Sequence, residues 1–155
     1  MAVNDEAMSF RHFILIIPLF AAAANARTHV GSFATWAAFC DERTKCFAIS
    51  EPSGRRSAAF LAFAISGRGP LLRAHIGRPV RTAILHIGTA HFVLATSGED
   101  VTADLRLSRR IVSALRENET LSIAGIATDG GRFRHRYGLV GAPSAIDAAV
   151  IASRR

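Results

Sequence analysis

From residue 33 onward the apolar residues fall into runs of five to nine, each stopped by glycine, proline or a polar turn. Runs this short suit strands and are too brief for most core helices. Phe33–Cys40 is the first, rich in aromatics, and Lys45–Ser50 the second, closed by Glu51-Pro52-Ser53-Gly54. Ala58–Ser66 is nearly all apolar and reads as a central strand buried on both faces. Gly67-Arg68-Gly69-Pro70 then turns the chain into Leu71–Ile76. Ala83–Ile87 and His91–Ala95 flank Gly88-Thr89-Ala90, a hairpin with a short glycine-containing loop. Asp129-Gly130-Gly131 joins Leu121–Thr128 to Arg132–Val140 as another hairpin.

Two segments carry helical spacing. Leu107, Ile111 and Leu115 fall on one stripe of Ser108–Glu117, with Ser108 as N-cap and Asn118 as a left-handed stop. Pro143–Ala152 begins with proline and serine and carries little polarity, so it docks on the sheet. The expected architecture is mainly β: an antiparallel β-sandwich with one amphipathic helix and a short C-terminal helix. Residues 27–155 make one domain, without repeats or long linkers.

The front of the chain reads as an export leader. Arg11 and His12 precede the apolar run Phe13–Ala24, and Ala24-Asn25-Ala26 forms a small-residue cleavage site before Arg27. The run is too short to span a membrane, and Pro18 interrupts it. Asp5 and Glu6 suit a leader badly, which makes Met8 an alternative start. The expectation is a signal peptide over residues 1–26 and a mature protein in the periplasm, at the cell surface or secreted, with no transmembrane segment.

Cys40 and Cys46 agree with an oxidising compartment. They are the two cysteines of the chain, and a polar pentapeptide separates them, which suits a disulfide across a hairpin. CxxC, CxxCH and zinc-ligand spacings are absent, so neither metal nor other cofactor is expected.

Setting the leader aside takes Arg11 from the 19 basic residues and Asp5 and Glu6 from the 12 acidic ones, raising the net charge from +7 to +8. All the remaining basic residues except Lys45 are arginine, the side chain that pairs bidentately with phosphate and carboxylate. In the last hairpin strand Arg132, Arg134 and Arg136 alternate with Phe133, His135 and Tyr137. With a period of two, three guanidinium groups stand in a row about 7 Å apart on one face. Such a row either holds an anionic partner or keeps a sheet edge soluble. His135 falls on the inward side as a hydrogen-bonded histidine of the core.

No catalytic constellation accompanies this pattern. HExxH and GxSxG do not occur, His86 and His91 lie five apart across a turn, and Gly67-Arg68-Gly69 runs into proline and a strand rather than a helix. Glu99-Asp100 sits in a turn, where solvated carboxylates are ordinary. The expected class is a non-catalytic binding or accessory protein, the alternative an enzyme or small-ligand carrier whose pocket the sequence hides. Nucleic acid is not expected, because export and the lack of surface aromatics interleaved with arginine oppose it. A transmembrane barrel would place arginine against lipid.

Several of these residues, taken in order, resemble the invasion-associated locus B family. Trp36-(x3)-Cys40 followed by Cys46-Phe47-Ala48-Ile49-Ser50-Glu51 resembles its opening signature. Gly77-Arg78-Pro79 resembles its G-[YF]-P turn, and Phe92-Val93-Leu94 with Gly98-Glu99-Asp100 its F-x-L…G-D stretch. Ile111–Leu115 resembles a helix of the family, and Ile123-Ala124-Gly125 and Tyr137–Gly141 its later strands. Departures are His135 where an aspartate is usual, Val101-Thr102 where an aromatic often stands, and Arg78 in place of an aromatic. The resemblance implies an exported, disulfide-bonded β-sandwich without known catalysis, of a kind found mostly in alphaproteobacteria and associated in pathogens with host cells. The partner it leaves open is an anionic envelope component or a protein.

Overall fold

A computed structural model describes residues 28–41, 45–54 and 58–154. The leader, both possible starts and the proposed cleavage site lie outside these residues. Ten strands and two helices follow in the order β1 (Thr28–Phe33), β2 (Trp36–Cys40), β3 (Cys46–Ser50), β4 (Phe60–Ser66), β5 (Gly69–His75), β6 (Val80–Ile87), β7 (Ala90–Ser97), β8 (Asp100–Thr102), α1 (Leu105–Leu115), β9 (Thr120–Ala127), β10 (Arg132–Gly138) and α2 (Ala142–Ala152). All pairings are antiparallel. They join the strands in one sheet, in the order β1-β2-β3-β4-β5-β8-β7-β6-β9-β10.

The mainly β reading holds, but the strands form one curled sheet rather than the two hydrogen-bonded sheets of a sandwich. The curl brings opposite ends together. Trp36 Nε1 donates to the Gly138 carbonyl at 2.8 Å, and the Ser53 amide donates to the Arg136 carbonyl at 2.7 Å. Gly141, with φ +87°, lets the Phe33 carbonyl approach so closely that a Cβ would lie 2.1 Å from its oxygen. Trp36, Leu61, Phe63, Leu72, Leu85, Ile123 and Tyr137 fill the space inside the curl. The sheet lays α2 against β1, β2 and β3 and α1 against β5, with Ile111, Leu115 and Ile146 buried between helix and sheet.

Local chemistry explains where the boundaries differ from the expected ones. The run Phe33–Cys40 is two strands, because Ala34 takes a left-handed φ of 52° and reverses the chain with Thr35. Asp104, not Ser108, caps α1: its Oδ1 accepts the Leu107 amide at 2.7 Å. Ser108 sits one turn further in, fully buried, where its hydroxyl accepts the Leu72 amide at 3.0 Å and pins the helix to β5. Asn118 ends α1 with its side chain, Nδ2 donating to the Ala114 carbonyl at 2.9 Å, rather than with a left-handed backbone. Glu99-Asp100 is more than a solvated turn, since Asp100 opens β8. Leu61, Ala62 and Phe63 are buried in succession, so β4 is covered on both faces over its first half. Cys40 and Cys46 are register partners at the end of the β2–β3 hairpin and are joined by a disulfide.

Candidate anion-binding face

β10 places the arginine row as its alternation requires. Arg132, Arg134 and Arg136 are exposed, Phe133 and His135 are half-buried, and Tyr137 is buried. Register extends this face across three further strands. Arg136 pairs with Ser122, Ser122 with His86, and His86 with His91; Arg134 pairs with Ala124, Ala124 with Ile84, and Ile84 with Val93. Arg132 pairs with Ile126 and Ile126 with Thr82. None of these positions carries a carboxylate.

Six other arginines are engaged. Arg73 pairs with Asp100, Arg78 with Asp129 at 3.3 Å, and Arg116 with Asp147 at 2.8 Å. Arg81 donates to the Thr128 carbonyl at 2.9 Å and Arg109 to the Arg68 carbonyl at 2.7 Å. Arg110 lies 5.6 Å above the Phe92 ring, a cation–π distance. Among the described residues Arg132, Arg134 and Arg136 make no ion pair. Their charge is left for solvent or a partner.

At one end of the row the surface dips into an open cleft of about 550 Å³ lined by Arg134, Arg136, Ser122, Thr120, Ser53 and His86. Two guanidinium groups, three hydroxyls and an imidazole make a donor-rich lining suited to phosphate or carboxylate. A shallower hollow flanks Arg132 and Arg134 beside Ala124 and Gly125.

Sequence spacing alone did not bring the histidines here. A two-residue turn, Gly88-Thr89, sets His86 directly opposite His91, and their Nδ1 atoms lie 2.8 Å apart. One nitrogen must donate and the other accept, so the pair shares a single bridging proton. Partial burial, then His91, then Arg134 hold the His86 pKa below the ordinary histidine value. The signal that finds the pair is the loop length: a two-residue hairpin puts positions i and i+5 in register.

His135, His75 and Asp100 serve structure. His135 faces inward, its pKa lowered by burial and partly restored by a hydrogen bond with the Ile76 backbone. His75 binds Asp100 Oδ1 at 2.9 Å and lies 3.3 Å from Glu99. That hydrogen bond, then the one from Arg73, keeps the Asp100 carboxyl below its usual range. Among the described residues no three histidine, cysteine or acidic side chains cluster as metal ligands. No described helix is long and apolar enough to cross a membrane.

The chain matches no protein-family profile and no curated protein. Among solved structures, it is similar to the crystal structure of invasion associated protein B from Bartonella henselae, with a TM-score of 0.63 and 14% identity over 83% of this chain and 99% of that one. The two share a fold, mainly β as the sequence resemblance implies but built on one curled sheet.

Proposed function

We propose that this protein is an exported, non-catalytic binding module of the periplasm or cell surface that docks an anionic partner through the outer face of β10. The carrying observation is the set of three exposed guanidinium groups, Arg132, Arg134 and Arg136, on a face without carboxylates. Unneutralised arginine on a rigid strand presents bidentate donors at fixed spacing, the geometry that phosphate and carboxylate groups accept. The fold shared with invasion associated protein B and the Cys40–Cys46 disulfide agree with a protein that works outside the cytoplasm. The lack of a nucleophile–base or metal motif in the sequence supports binding over catalysis.

Titrating the 15N-labelled protein with a short polyphosphate tests the location. The amides of residues 132–136, Ser122 and His86 are expected to shift first and most. Shifts centred on another surface would contradict the assignment.

A further inference from the structure

The outer face carries a second feature that charge alone leaves unused. Val93 is 75% exposed, and Ile84 and Ile126 are each 38% exposed. These are three of the six large exposed aliphatic side chains among the described residues, and register places all three on the face of the arginine row. The line Arg134–Ala124–Ile84–Val93 crosses β10, β9, β6 and β7 from a cation to an open valine without meeting a polar side chain. At strand spacing it spans about 14 Å, with a cationic margin and an aliphatic middle. Ser122 and Thr82 bound the strip on the neighbouring rows.

A soluble phosphate would engage the arginines and leave the strip in water. A bilayer surface matches both parts, because phosphates lie beside the upper hydrocarbon and arginine stems lie along apolar surface with their heads among anions. Resting on the reading of the arginine row as the docking site, we infer that the anionic partner is the phosphate-bearing surface of a lipid bilayer. Arg132, Arg134 and Arg136 hold headgroup phosphates while Val93, Ile84 and Ile126 enter the interfacial layer. Neither half anchors the protein alone: the charges attract, and the aliphatic side chains add affinity that salt does not screen.

Co-sedimentation separates the contributions. The probes are phosphatidylglycerol vesicles, phosphatidylcholine vesicles and soluble polyphosphate. The proteins are wild type, R132S/R134S/R136S and I84T/V93T, the last keeping β-branched residues in both strands so that folding is retained. Wild type is expected to bind phosphatidylglycerol vesicles and polyphosphate but not phosphatidylcholine. I84T/V93T should bind the anionic vesicles about tenfold more weakly and polyphosphate unchanged. The arginine variant should lose both.

Vesicle binding by I84T/V93T equal to wild type would overturn the bilayer inference while leaving the docking site standing. Wild-type binding to polyphosphate but not to anionic vesicles would do the same. Undiminished binding of both probes by the arginine variant would overturn the docking site itself.

Discussion

Trp36 Nε1 donates a 2.8 Å hydrogen bond to the carbonyl oxygen of Gly138, a residue 102 positions away. Trp36 begins β2, next to one edge of the sheet, and Gly138 ends β10, the opposite edge. This bond and the Phe33–Gly141 approach hold the sheet in its curl and set β10 with its arginines facing outward.

The seam is therefore expected to carry stability out of proportion to its size. W36F removes the donor, strands the Gly138 carbonyl and leaves a void beside Phe63, a combined loss of about 2–4 kcal/mol. G141A forces a Cβ against the Phe33 carbonyl at a left-handed φ and should cost more than about 2 kcal/mol. Urea unfolding monitored by circular dichroism measures both; wild-type midpoints for the two variants would remove the seam from the account.

Tyr137 is the sole tyrosine, 1% exposed, and its hydroxyl has no hydrogen-bond partner among the described residues. Y137F should leave stability within about 0.5 kcal/mol of wild type or raise it, because a buried unpaired hydroxyl contributes nothing to offset its desolvation. Burial raises the phenol's pKa well above the ordinary value of 10.0. A raised folded pKa favours the protonated form, so its contribution is intact below about pH 10 and is lost as pH climbs beyond. Phenolate absorbance should accordingly appear together with alkaline unfolding, not before it.

The disulfide closes a short loop at the end of β2–β3. C40S/C46S should lower stability by roughly 2–2.5 kcal/mol on the chain-entropy account, with the fold retained. Guanidinium titrations of wild type and variant test the size of the loss.

The His86–His91 pair links the face to pH. The lowered His86 pKa means that folding favours its neutral form, so this contribution to stability is present above the ordinary value of 6.5 and is lost as pH falls below it. Protonating His86 adds charge beside Arg134 and Arg136. Affinity for polyphosphate should then rise severalfold as pH drops from about 7.5 to about 5.5, while Tm falls. H86Q should flatten both trends; an unchanged pH profile in that variant would detach the pair from the site.

Much of this site was legible in the sequence because a strand repeats every two residues. Arg132, Arg134 and Arg136 could be assigned to one face by counting, and the Asp129-Gly130-Gly131 hairpin and Pro143 marked their neighbours. Local patterns say which way a side chain points, but not which strands lie beside it or whether a sheet closes on itself. The Trp36–Gly138 bond, the carboxylate-free surroundings and the Ile84–Val93 strip all depend on register between distant strands. The Ala34 turn has no sequence signature because alanine carries no turn signal, and the Asp104 cap lies outside the Ser108–Glu117 span that the apolar stripe marks as helical. The leader reading concerns residues outside those the structure describes.

The central claim is that the β10 arginines form a docking site, and the salt dependence of polyphosphate binding tests it most directly. For wild type, log affinity plotted against log salt should fall with a slope of about −2 to −3, reflecting the engaged guanidinium groups. R132S/R134S/R136S should bind too weakly to measure while keeping its Tm, since exposed charges contribute little to stability. Equal, salt-insensitive binding by both proteins would contradict the account.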